Sequence, residues 1–572
     1  MLKKWWHNTV GYQIYPKSFQ DTNQDGVGDL QGVIRHLDEI AQLGANVIWL
    51  CPVFASPMVD NGYDISDYMG IDPSFGTMDD MKELIARAAE KGIKILMDLV
   101  VNHSSDQHEW FQKALQDPHG EYGDYYVFRE GKDGNPPNNW RSIFGGSAWE
   151  RVEGWDDLYY LHIFTKEQPD LNWENPKLRE EIYEMILKWM DMGLGGFRLD
   201  AISHLKKNYS YSNLPPDGPD GYNLAFDYIN NVDGLSEILR EMKERTFLPS
   251  DALTIGEYDQ MRPEEVEAVI GEDGNFCSIF DFSHTFHDVN AEKWKGNTQA
   301  LFNDYRDKLF EAQRVVDGRG MLCNFLENHD KPRCIDRFLA GEDQNRYSIR
   351  MLPVTNFFFP GIVFLYQGQE IGMRNYPKKR LEEYVDKPTY AIYDRLLMQG
   401  KSPEEAIEEL NHASREHGRT PMQWNGKSNG GFSDAKPWFA VNPNYAQLNY
   451  EAQKEDPDSL LNFYKRMVAV RRRADLEETF IYGEFLPRYE KEDGILAYER
   501  RDEKNRLLIL TSARKERVKL PFEERVGEIL LDNYDTEGKD SAGAAESSLA
   551  ERSGSRNTLM LEPFQCLVLK LA

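Results

Sequence analysis

The sequence has few cysteines and no long uninterrupted hydrophobic run. Its five cysteines among 572 residues are odd in number and show neither CxxC spacing nor clustering. This pattern argues against a disulfide framework or a zinc site and predicts reduced, mostly buried thiols. The longest apolar stretch, FFFPGIVFLY at 357–366, contains Pro360 and is too short to cross a bilayer. The opening MLKKWWHNTVGYQIYP lacks the apolar segment and cleavage site of a secretory signal, so we expect a soluble, cytoplasmic protein.

Basic side chains are scarce relative to acidic ones. Lys and Arg total 67 against 96 Asp and Glu, which gives a formal net charge of −29. Such a surface repels phosphate backbones and anionic lipids, so neither nucleic acid nor a membrane is an expected partner. Hydrophobic residues at 40% and aromatic residues at 12% are typical of a globular enzyme. The length predicts one large domain with smaller companions.

Eight short apolar runs are predicted to be strands, and amphipathic helical patterns such as MKELIARAAEKG at 81–92 separate several of them. Near-continuous apolar strands between helices indicate a parallel sheet covered by helices, and eight units favour a (β/α)8 barrel, also called a TIM barrel. Catalytic groups of such a barrel lie at the carboxyl ends of the strands. The predicted strands are VGYQIYP (10–16), NVIWLCP (46–52), IKILMDLVVNH (93–103), GGFRLDA (195–201), ALTIGE (252–257), CSIFDF (277–282), MLCNFLENHD (321–330) and GIVFLYQGQE (361–370).

Two intervals break the alternation of strands and helices, and the last part of the chain has a different pattern. The interval after the third strand, with segments such as GKDGNPPNNW, predicts a small inserted domain. The interval after the eighth strand is helical and loop-like and predicts a lid or wall over the barrel mouth. Short alternating strands then predict a C-terminal antiparallel β-sandwich with a polar loop. The predicted boundaries are 1–103 and 174–478 for the barrel, 104–173 for the inserted domain, 371–435 for the lid, 479–572 for the β-sandwich and 538–555 for its polar loop.

Three carboxylates are predicted to converge at the barrel mouth. In GGFRLDA the two-residue period of a strand places Arg198 and Asp200 on the same side, and the guanidinium favours the ionised carboxylate. From these residues alone, Asp200 is either a nucleophile or half of a buried ion pair. Glu257 follows another apolar strand in TIGEYDQ, and Asp330 follows a third in LENHDKP. Because burying like charges together costs several kcal/mol without a use, their convergence indicates a functional site.

Five segments occur in a characteristic order along the predicted barrel: DLVVNH (98–103), QPDLNWENP (168–176), GFRLDAISH (196–204), the GE of TIGEYDQ and ENHDKPR (327–333). Together they resemble the short motifs of the α-amylase superfamily of glycoside hydrolases. Others resemble its oligo-1,6-glucosidase and α-glucosidase branch: WWHNTVGYQIYPKSFQDTNQDGVGDL, DNGYDISDY (60–68), YQGQEIGM (366–373) and SREHGRTPMQW (414–424). The resemblance extends from residue 5 to at least residue 440.

The resemblance implies an exo-acting retaining α-glucosidase that releases glucose from the non-reducing end of short maltose- or isomaltose-type oligosaccharides. By this resemblance Asp200 is the nucleophile, Glu257 is the acid/base, and Asp330 is a third carboxylate that orients sugar hydroxyls. Asp60 and Arg415 match a pair that closes the site behind the terminal glucose, which implies a pocket instead of a groove. No cofactor is expected for the reaction, and a monomer or weak homo-oligomer is expected.

Further residues are implied to contact the sugar. His103 and His329 match histidines that hydrogen-bond hydroxyl groups, Tyr63 is implied to stack on the reacting glucose, and Phe164 to line its subsite. Arg198 completes the predicted substrate-binding set. The segment SREHGR contains a second arginine, Arg419, so the choice of Arg415 rests on the motif register.

Several alternatives stay open at the level of sequence. Ala201 follows Asp200, where relatives that prefer α-1,6 bonds usually carry Val, and this favours maltose-like substrates. A sucrose-active transglucosidase or isomerase is a second possibility, and a trehalose-6-phosphate hydrolase is a third, with Lys206 and Lys207 as candidate phosphate ligands. A non-catalytic amylase-like binding subunit is disfavoured because all three carboxylates are present.

The segment DTNQDGVGD at 21–29 resembles the first nine positions of a calcium-binding EF-hand loop, with Gly26 where such a loop turns. However, position twelve is Gly32 instead of a bidentate Glu, and a predicted strand, not a helix, precedes the segment. Related glucosidases imply a structural Ca²⁺ or Mg²⁺ here, and a metal-free polar turn is the alternative. The predicted ligands are the side chains of Asp21, Asn23, Asp25 and Asp29 and the carbonyl of Val27.

Overall fold

The structure is a computed structural model that describes residues 3–285, 296–534 and 558–572. The polar loop predicted at 538–555 therefore lies outside the described residues. Twenty β-strands occur in the described ranges. In chain order they are β1 (Val10–Ile14), β2 (Val47–Leu50), β3 (Phe54–Ala55), β4 (Asp67–Ile71), β5 (Lys94–Val100), β6 (Phe128–Glu130), β7 (Trp149–Arg151), β8 (Leu158–Leu161), β9 (Gly196–Asp200), β10 (Leu253–Gly256), β11 (Ser278–Phe280), β12 (Leu322–Asn324), β13 (Ile362–Tyr366), β14 (Glu484–Arg488), β15 (Ile495–Arg501), β16 (Arg506–Ser512), β17 (Val518–Pro521), β18 (Val526–Asp532), β19 (Thr558–Leu561) and β20 (Cys566–Leu571).

Sixteen α-helices occur in the same ranges. They are α1 (Leu30–Arg35), α2 (Leu37–Leu43), α3 (Met78–Glu90), α4 (Glu109–Gln116), α5 (Pro176–Asp191), α6 (Phe226–Ile229), α7 (Leu235–Met242), α8 (Val266–Ile270), α9 (Thr298–Val316), α10 (Cys334–Phe338), α11 (Arg346–Phe357), α12 (Lys387–Met398), α13 (Pro403–Ala413), α14 (Tyr450–Lys454), α15 (Leu460–Arg471) and α16 (Glu477–Tyr482).

Eight strands form a closed parallel barrel in the order β1, β13, β12, β11, β10, β9, β5 and β2. Each of the eight runs predicted as strands contributes one of them, so the prediction of a (β/α)8 barrel is confirmed. The barrel interior is filled by large apolar side chains from opposite strands, including Trp49, Leu96, Ile255, Phe280 and Phe364. The interior is therefore packed, and the strand ends provide the space for a site.

Local sequence signals fix the elements that lead into the site. Thr77 and Asp80 form a capping box at the start of α3, and Asn175 caps α5 with Pro176 at its first position. At the start of β9, Gly196 has a φ of +144°, and a Cβ there would lie 1.9 Å from the Leu253 carbonyl oxygen. Only glycine permits this close approach of β9 to β10, which sets the position of the strand that ends at Asp200.

The segment between β5 and α5 forms a helix, α4, and an antiparallel sheet in the order β6, β8, β7. Residues after β9 pack onto it, a contact that the sequence analysis did not anticipate. The backbones of Trp140 and Asn223 form an isolated parallel β-bridge, and Arg141 forms ion pairs with Asp217 and Asp220. The loop after β9 and the segment after β5 thus form one wall on this side of the barrel mouth.

Two further segments complete the chain. The predicted lid contains α12 and α13, which pack on each other, followed by a 3₁₀ turn at Arg415–Arg419. At the C-terminus, a five-stranded antiparallel sheet in the order β14, β15, β16, β20, β18 packs against the two-stranded sheet β17–β19 through a shared apolar core. This arrangement agrees with the predicted C-terminal antiparallel β domain.

All five cysteines are free thiols, and four of them are buried while Cys277 is partly exposed. This agrees with the prediction of reduced, mostly buried cysteines. Within residues 3–285, 296–534 and 558–572, none of the helices has the length and apolar character needed to cross a membrane.

Candidate active site

The carboxyl ends of the barrel strands bring the three predicted catalytic carboxylates to one face. Asp200 is the last residue of β9, Glu257 directly follows β10, and Asp330 lies in the loop after β12. Parallel strands of a barrel end at the same face, so side chains that are distant in sequence meet there. The hydrogen bonds described below join these carboxylates into one connected site.

The Arg198 guanidinium contacts three carboxylates. Its Nη1 donates to Asp98 Oδ1 at 2.5 Å and to Asp200 Oδ1 at 2.6 Å, and its Nη2 donates to Glu257 Oε2 at 2.8 Å. Arg198 is 3% exposed and Asp98 is fully buried. In such a poorly solvated place, the planar arginine fork holds carboxylates at defined positions, which a lysine does not. Arg198 therefore fixes Asp200 and Glu257 relative to each other.

Asp200 has one oxygen bound to Arg198 and one that accepts no hydrogen bond from a described residue. Burial raises the pKa of Asp200, Arg198 opposes this increase, and the Glu257 carboxylate adds to it. The ionised form of Asp200 therefore depends on the guanidinium. The second oxygen, Oδ2, is the atom that remains available for attack on a bound substrate.

Glu257 is held through a single oxygen. Its Oε2 accepts hydrogen bonds from Arg198 Nη2 at 2.8 Å and from the Ala201 amide at 2.9 Å, whereas Oε1 accepts none from a described residue. Ala201 has a φ of 45°, a left-handed conformation uncommon for a residue with a Cβ. This turn, directly after Asp200, directs its amide to Glu257. Oε1 remains free to carry a transferable proton.

Tyr63 and His329 form a stacked pair that connects Asp98 to Asp330. Their ring centroids lie 5.4 Å apart at an interplanar angle of 8°. The Tyr63 hydroxyl lies 3.2 Å from Asp98 Oδ2 and 2.6 Å from His329 Nε2, which in turn lies 3.1 Å from Asp330 Oδ2. On the other side of the imidazole, Gln13 Nε2 lies 2.8 Å from Nδ1. Both predicted sugar-contacting rings are therefore fixed in orientation.

Asp330 is surrounded by cationic groups. Its Oδ1 accepts from Arg415 Nη1 at 3.0 Å and from Arg419 Nη2 at 2.7 Å. Desolvation raises the pKa of Asp330, but His329, Arg415 and Arg419 together lower it well below its usual range. Asp330 is therefore an ionised acceptor at neutral pH, which suits a group that holds hydroxyl donors.

Arg415 joins three parts of the chain at the mouth of the site. It donates to Asp60 Oδ1 at 3.2 Å, and to Asp386 through Nε at 2.5 Å and Nη2 at 2.8 Å. The Phe144 ring lies 5.8 Å from its guanidinium carbon. Asp60 belongs to the loop between β3 and β4, Asp386 to the predicted lid, and Phe144 to the segment inserted after β5. One side chain therefore closes this side of the site by joining all three.

His103 and Phe164 lie beside Asp60. His103 Nε2 lies 2.9 Å from the Tyr63 carbonyl oxygen and 3.0 Å from Gln168 Nε2, and its ring meets Phe164 edge-on at 5.1 Å. Gln168 Nε2 also donates to Asp60 Oδ2 at 3.2 Å. Burial lowers the pKa of His103 to about 3, so the ring is neutral at physiological pH. A neutral imidazole suits a hydrogen-bonding role.

The structure adds site residues that the sequence analysis did not assign. These residues pair with the predicted set, and three of them had a sequence signal. Asp98 lies in the DLVVNH segment, Gln168 begins the QPDLNWENP segment, and Arg419 is the second arginine of SREHGR. No local signal marked Phe144 or Asp386, because each contributes from a separate loop. The added residues are Asp98, Phe144, Gln168, Asp386 and Arg419.

The two lysines considered as phosphate ligands are already paired. Lys207 is 2% exposed and lies 2.9 Å from Asn102 Oδ1 and 3.3 Å from Asp170 Oδ2. Lys206 forms an ion pair with Glu174. Lys207 is therefore not available to a bound ligand, and Lys206 has an acidic competitor.

The loop predicted to hold a cation is stabilised by its own backbone amides. In the described residues, no group of three or more His, Cys, Asp or Glu side chains is arranged to hold a metal ion. Asp29 also caps α1 through Gly32. The loop does not need a cation to satisfy its carboxylates, and a bound Ca²⁺ or Mg²⁺ stays a prediction. The amide donors are Gln24 and Gly26 to Asp21, Asp25 to Asn23, Val27 to Asp25, and Thr22 and Gly32 to Asp29, at 2.7–3.0 Å.

Comparisons with known proteins agree with this geometry. The family model for the α-amylase catalytic domain matches residues 13–479. The chain is 42% identical over 514 residues to the Probable oligo-1,6-glucosidase 3 of Bacillus subtilis, covering 89% of this chain and 91% of that one. Among solved structures, a trehalulose synthase of Pseudomonas mesoacidophila aligns with a TM-score of 0.90, and a trehalose-6-phosphate hydrolase of Bacillus licheniformis with 0.87, each at 34% identity and with full coverage of both chains. The chain belongs to the α-amylase family of glycoside hydrolases.

Proposed function

We propose that this enzyme is an exo-acting retaining α-glucosidase that releases glucose from the non-reducing end of short α-glucosides. The observation that carries the proposal is the closure around Arg415, which contacts Asp60, Asp330 and Asp386 within one cluster. This closure supports a pocket that accepts one terminal glucose, with Asp60 and Asp330 accepting hydrogen bonds from its hydroxyls. A groove for internal cleavage of long chains needs this side to be open.

In the first step, Asp200 Oδ2 attacks the anomeric carbon, and the bond from that carbon to the leaving oxygen breaks. Glu257 transfers its proton from Oε1 to the leaving oxygen, so the shortened sugar departs as a neutral alcohol. The product on the enzyme is a glucosyl ester of Asp200. Arg198, bound to both residues, stabilises the charge that moves between them.

In the second step, Glu257 is a carboxylate and removes a proton from water. The water oxygen attacks the anomeric carbon, the ester bond to Asp200 breaks, and glucose leaves with retained configuration. Glu257 regains its proton and Asp200 regains its charge, so the enzyme returns to its initial state. His103, Tyr63, Phe164 and His329 position the sugar in this proposal.

The linkage preference is a separate part of the proposal. The name of the Bacillus subtilis relative supports action on α-1,6 bonds, whereas Ala201 after the nucleophile supports α-1,4 bonds. A phosphorylated substrate is less well supported because Lys207 is buried in an ion pair and Lys206 is paired with Glu174. No contact in the described residues specifically favours sucrose isomerisation.

A panel of substrates tests the proposal. Purified enzyme is incubated with maltose, isomaltose, sucrose, trehalose and trehalose 6-phosphate, and glucose and transfer products are quantified. We expect glucose from maltose or isomaltose with initial retention of configuration. Asp200→Asn is expected to abolish nitrophenol release from an α-glucoside. Loss of the iodine colour of starch before glucose appears, or exclusive cleavage of trehalose 6-phosphate, would refute the proposal.

Three further features belong to the proposal. We infer a cytoplasmic enzyme that acts as a monomer or weak homo-oligomer, and the acidic net charge of −29 supports solubility there. We also infer that the loop 21–29 binds a structural Ca²⁺ or Mg²⁺, for which its Asp and Asn side chains and the Val27 carbonyl are suitable oxygen donors. Light scattering tests the oligomeric state, and a chelation experiment tests the bound cation.

A further inference from the structure

Asp259 lies two residues after Glu257, in the loop after β10. Its backbone is held from two sides, since its amide donates to Ser203 Oγ at 3.0 Å and its carbonyl accepts from Asn231 Nδ2 at 2.7 Å. Ser203 belongs to the turn that directly follows Asp200. The backbone of Asp259 is thus fixed two residues after Glu257 and against the turn that follows Asp200. Because Glu257 is the proposed proton donor to the leaving oxygen, its flank is the side on which the leaving group sits.

The Asp259 carboxylate is partly buried and has no hydrogen bond or ion pair with any residue in the described ranges. Burial raises the pKa of Asp259 to about 6, the Glu257 carboxylate adds to this increase, and the Lys331 ammonium opposes it. The Asp259 carboxylate therefore interacts electrostatically with Glu257 and with Lys331. A partly buried carboxylate without a partner costs free energy, and no fold contact in the described residues compensates this cost.

We propose that Asp259 binds the hydroxyl groups of the leaving sugar and makes the site selective for uncharged, hydroxyl-rich leaving groups. This inference rests on the proposed function and identifies the residue that recognises the departing half of the substrate. A carboxylate accepts hydrogen bonds only, and sugar hydroxyls are donors at a suitable spacing. The partner that Asp259 lacks within the protein is thus supplied by the substrate.

The same charge discriminates against a phosphorylated leaving group. A phosphate brought next to Asp259 meets the negative charge of its carboxylate, which repels it, and the single Lys331 ammonium, which already interacts with Asp259. Lys207, a buried lysine on the loop after β9, is occupied by Asp170. Selectivity here therefore combines attraction of hydroxyls with repulsion of anions.

The test compares two substrates that differ only in the leaving group. Wild type, Asp259→Ala and Asp259→Asn are assayed with the preferred disaccharide and with p-nitrophenyl α-glucoside, whose leaving group has no sugar hydroxyls. Losing a charge-assisted hydrogen bond lowers kcat/KM for the disaccharide about 10- to 100-fold in Asp259→Ala. Nitrophenyl activity should stay within about threefold, since its leaving group makes no such bond. Asp259→Asn should recover part of the disaccharide activity.

The exposed Glu264, which pairs with Arg262 farther along the same loop, provides a matched control. Glu264→Gln should leave both activities unchanged. If both substrates lose activity equally in Asp259→Ala, Asp259 acts through Glu257 or the fold and the inference is wrong. If neither loses activity, Asp259 does not contact the leaving sugar, and the inference is equally wrong. Retained nitrophenyl activity shows that a variant is folded. A wild type inactive on every α-glucoside would instead refute the proposed function.

Discussion

Glu370 provides a quantitative test of the structure because its environment favours the neutral acid. It follows β13, is 2% exposed, and accepts a hydrogen bond from the Tyr12 hydroxyl at 2.9 Å through Oε1. Its Oε2 has no hydrogen-bond partner among the described residues. Burial raises the pKa of Glu370 from 4.5 to about 7. Glu370→Gln replaces the neutral acid by a neutral amide of the same shape.

The sign of the expected effect follows from proton linkage. Below pH 4.5 the folded and unfolded chains both carry the proton, so Glu370 contributes no pH dependence. Between pH 4.5 and about 7 the unfolded chain loses the proton while the folded chain keeps it, so stability falls as pH rises. The difference in pKa, at about 1.4 kcal/mol per unit, corresponds to about 3 kcal/mol of destabilisation above pH 7. Glu370→Gln removes this cost.

The assay is thermal unfolding of both proteins at pH 5 and pH 8 at one scan rate. An unfolding entropy of about 2 cal/mol/K per residue over the chain converts about 3 kcal/mol into a shift of about 2–3 °C. The Tm of Glu370→Gln minus the Tm of wild type should therefore be about 2–3 °C larger at pH 8 than at pH 5. Glu404→Gln on the exposed start of α13 controls for the loss of a carboxylate. An equal difference in Tm at the two pH values would refute the reasoning.

Three further predictions concern the site and the loop. Arg198→Lys should lower kcat/KM at least about 100-fold on every α-glucoside, because a lysine cannot hold Asp200 and Glu257 together; steady-state kinetics check this, and a loss below tenfold contradicts it. Arg415→Lys should raise KM for maltose about tenfold or more with a smaller change in kcat, since the terminal glucose loses its closure; an unchanged KM speaks against the pocket. Chelation should lower Tm and added Ca²⁺ should restore it if a cation occupies loop 21–29, and a constant Tm argues for the metal-free turn.

The strand positions were predictable because their signal is local. Eight apolar runs of strand length each became a barrel strand, and Asp200, Glu257 and Asp330 were found by their position just after such runs. The pairing of Arg198 with Asp200 also follows from the two-residue period of one strand. These inferences need only neighbouring residues and the rule that parallel strands end at one face.

Other contacts were not predictable because they join loops that are distant in sequence. Asp386 was assigned only to a lid, yet it binds Arg415 at 2.5 Å from a loop that no local pattern connects to the site. The contact of Trp140 with Asn223 is of the same kind. The pairing of Asp60 with Arg415 was expected from the motif register alone. The structure places Arg415 in an ion pair with Asp60, and no ion pair of Arg419 with Asp60 occurs in the described residues.

The sequence by itself determined the barrel, the order of its strands and the carboxylates at their ends, since hydrophobic periodicity and strand direction are encoded locally. Only the tertiary structure decided how the charges are shared. Arg198 bridges Asp98, Asp200 and Glu257, while Asp330 is neutralised separately by Arg415 and Arg419. The physical reason is that electrostatic partners depend on distances between loops, and those distances exist only once the barrel has closed and its core has packed.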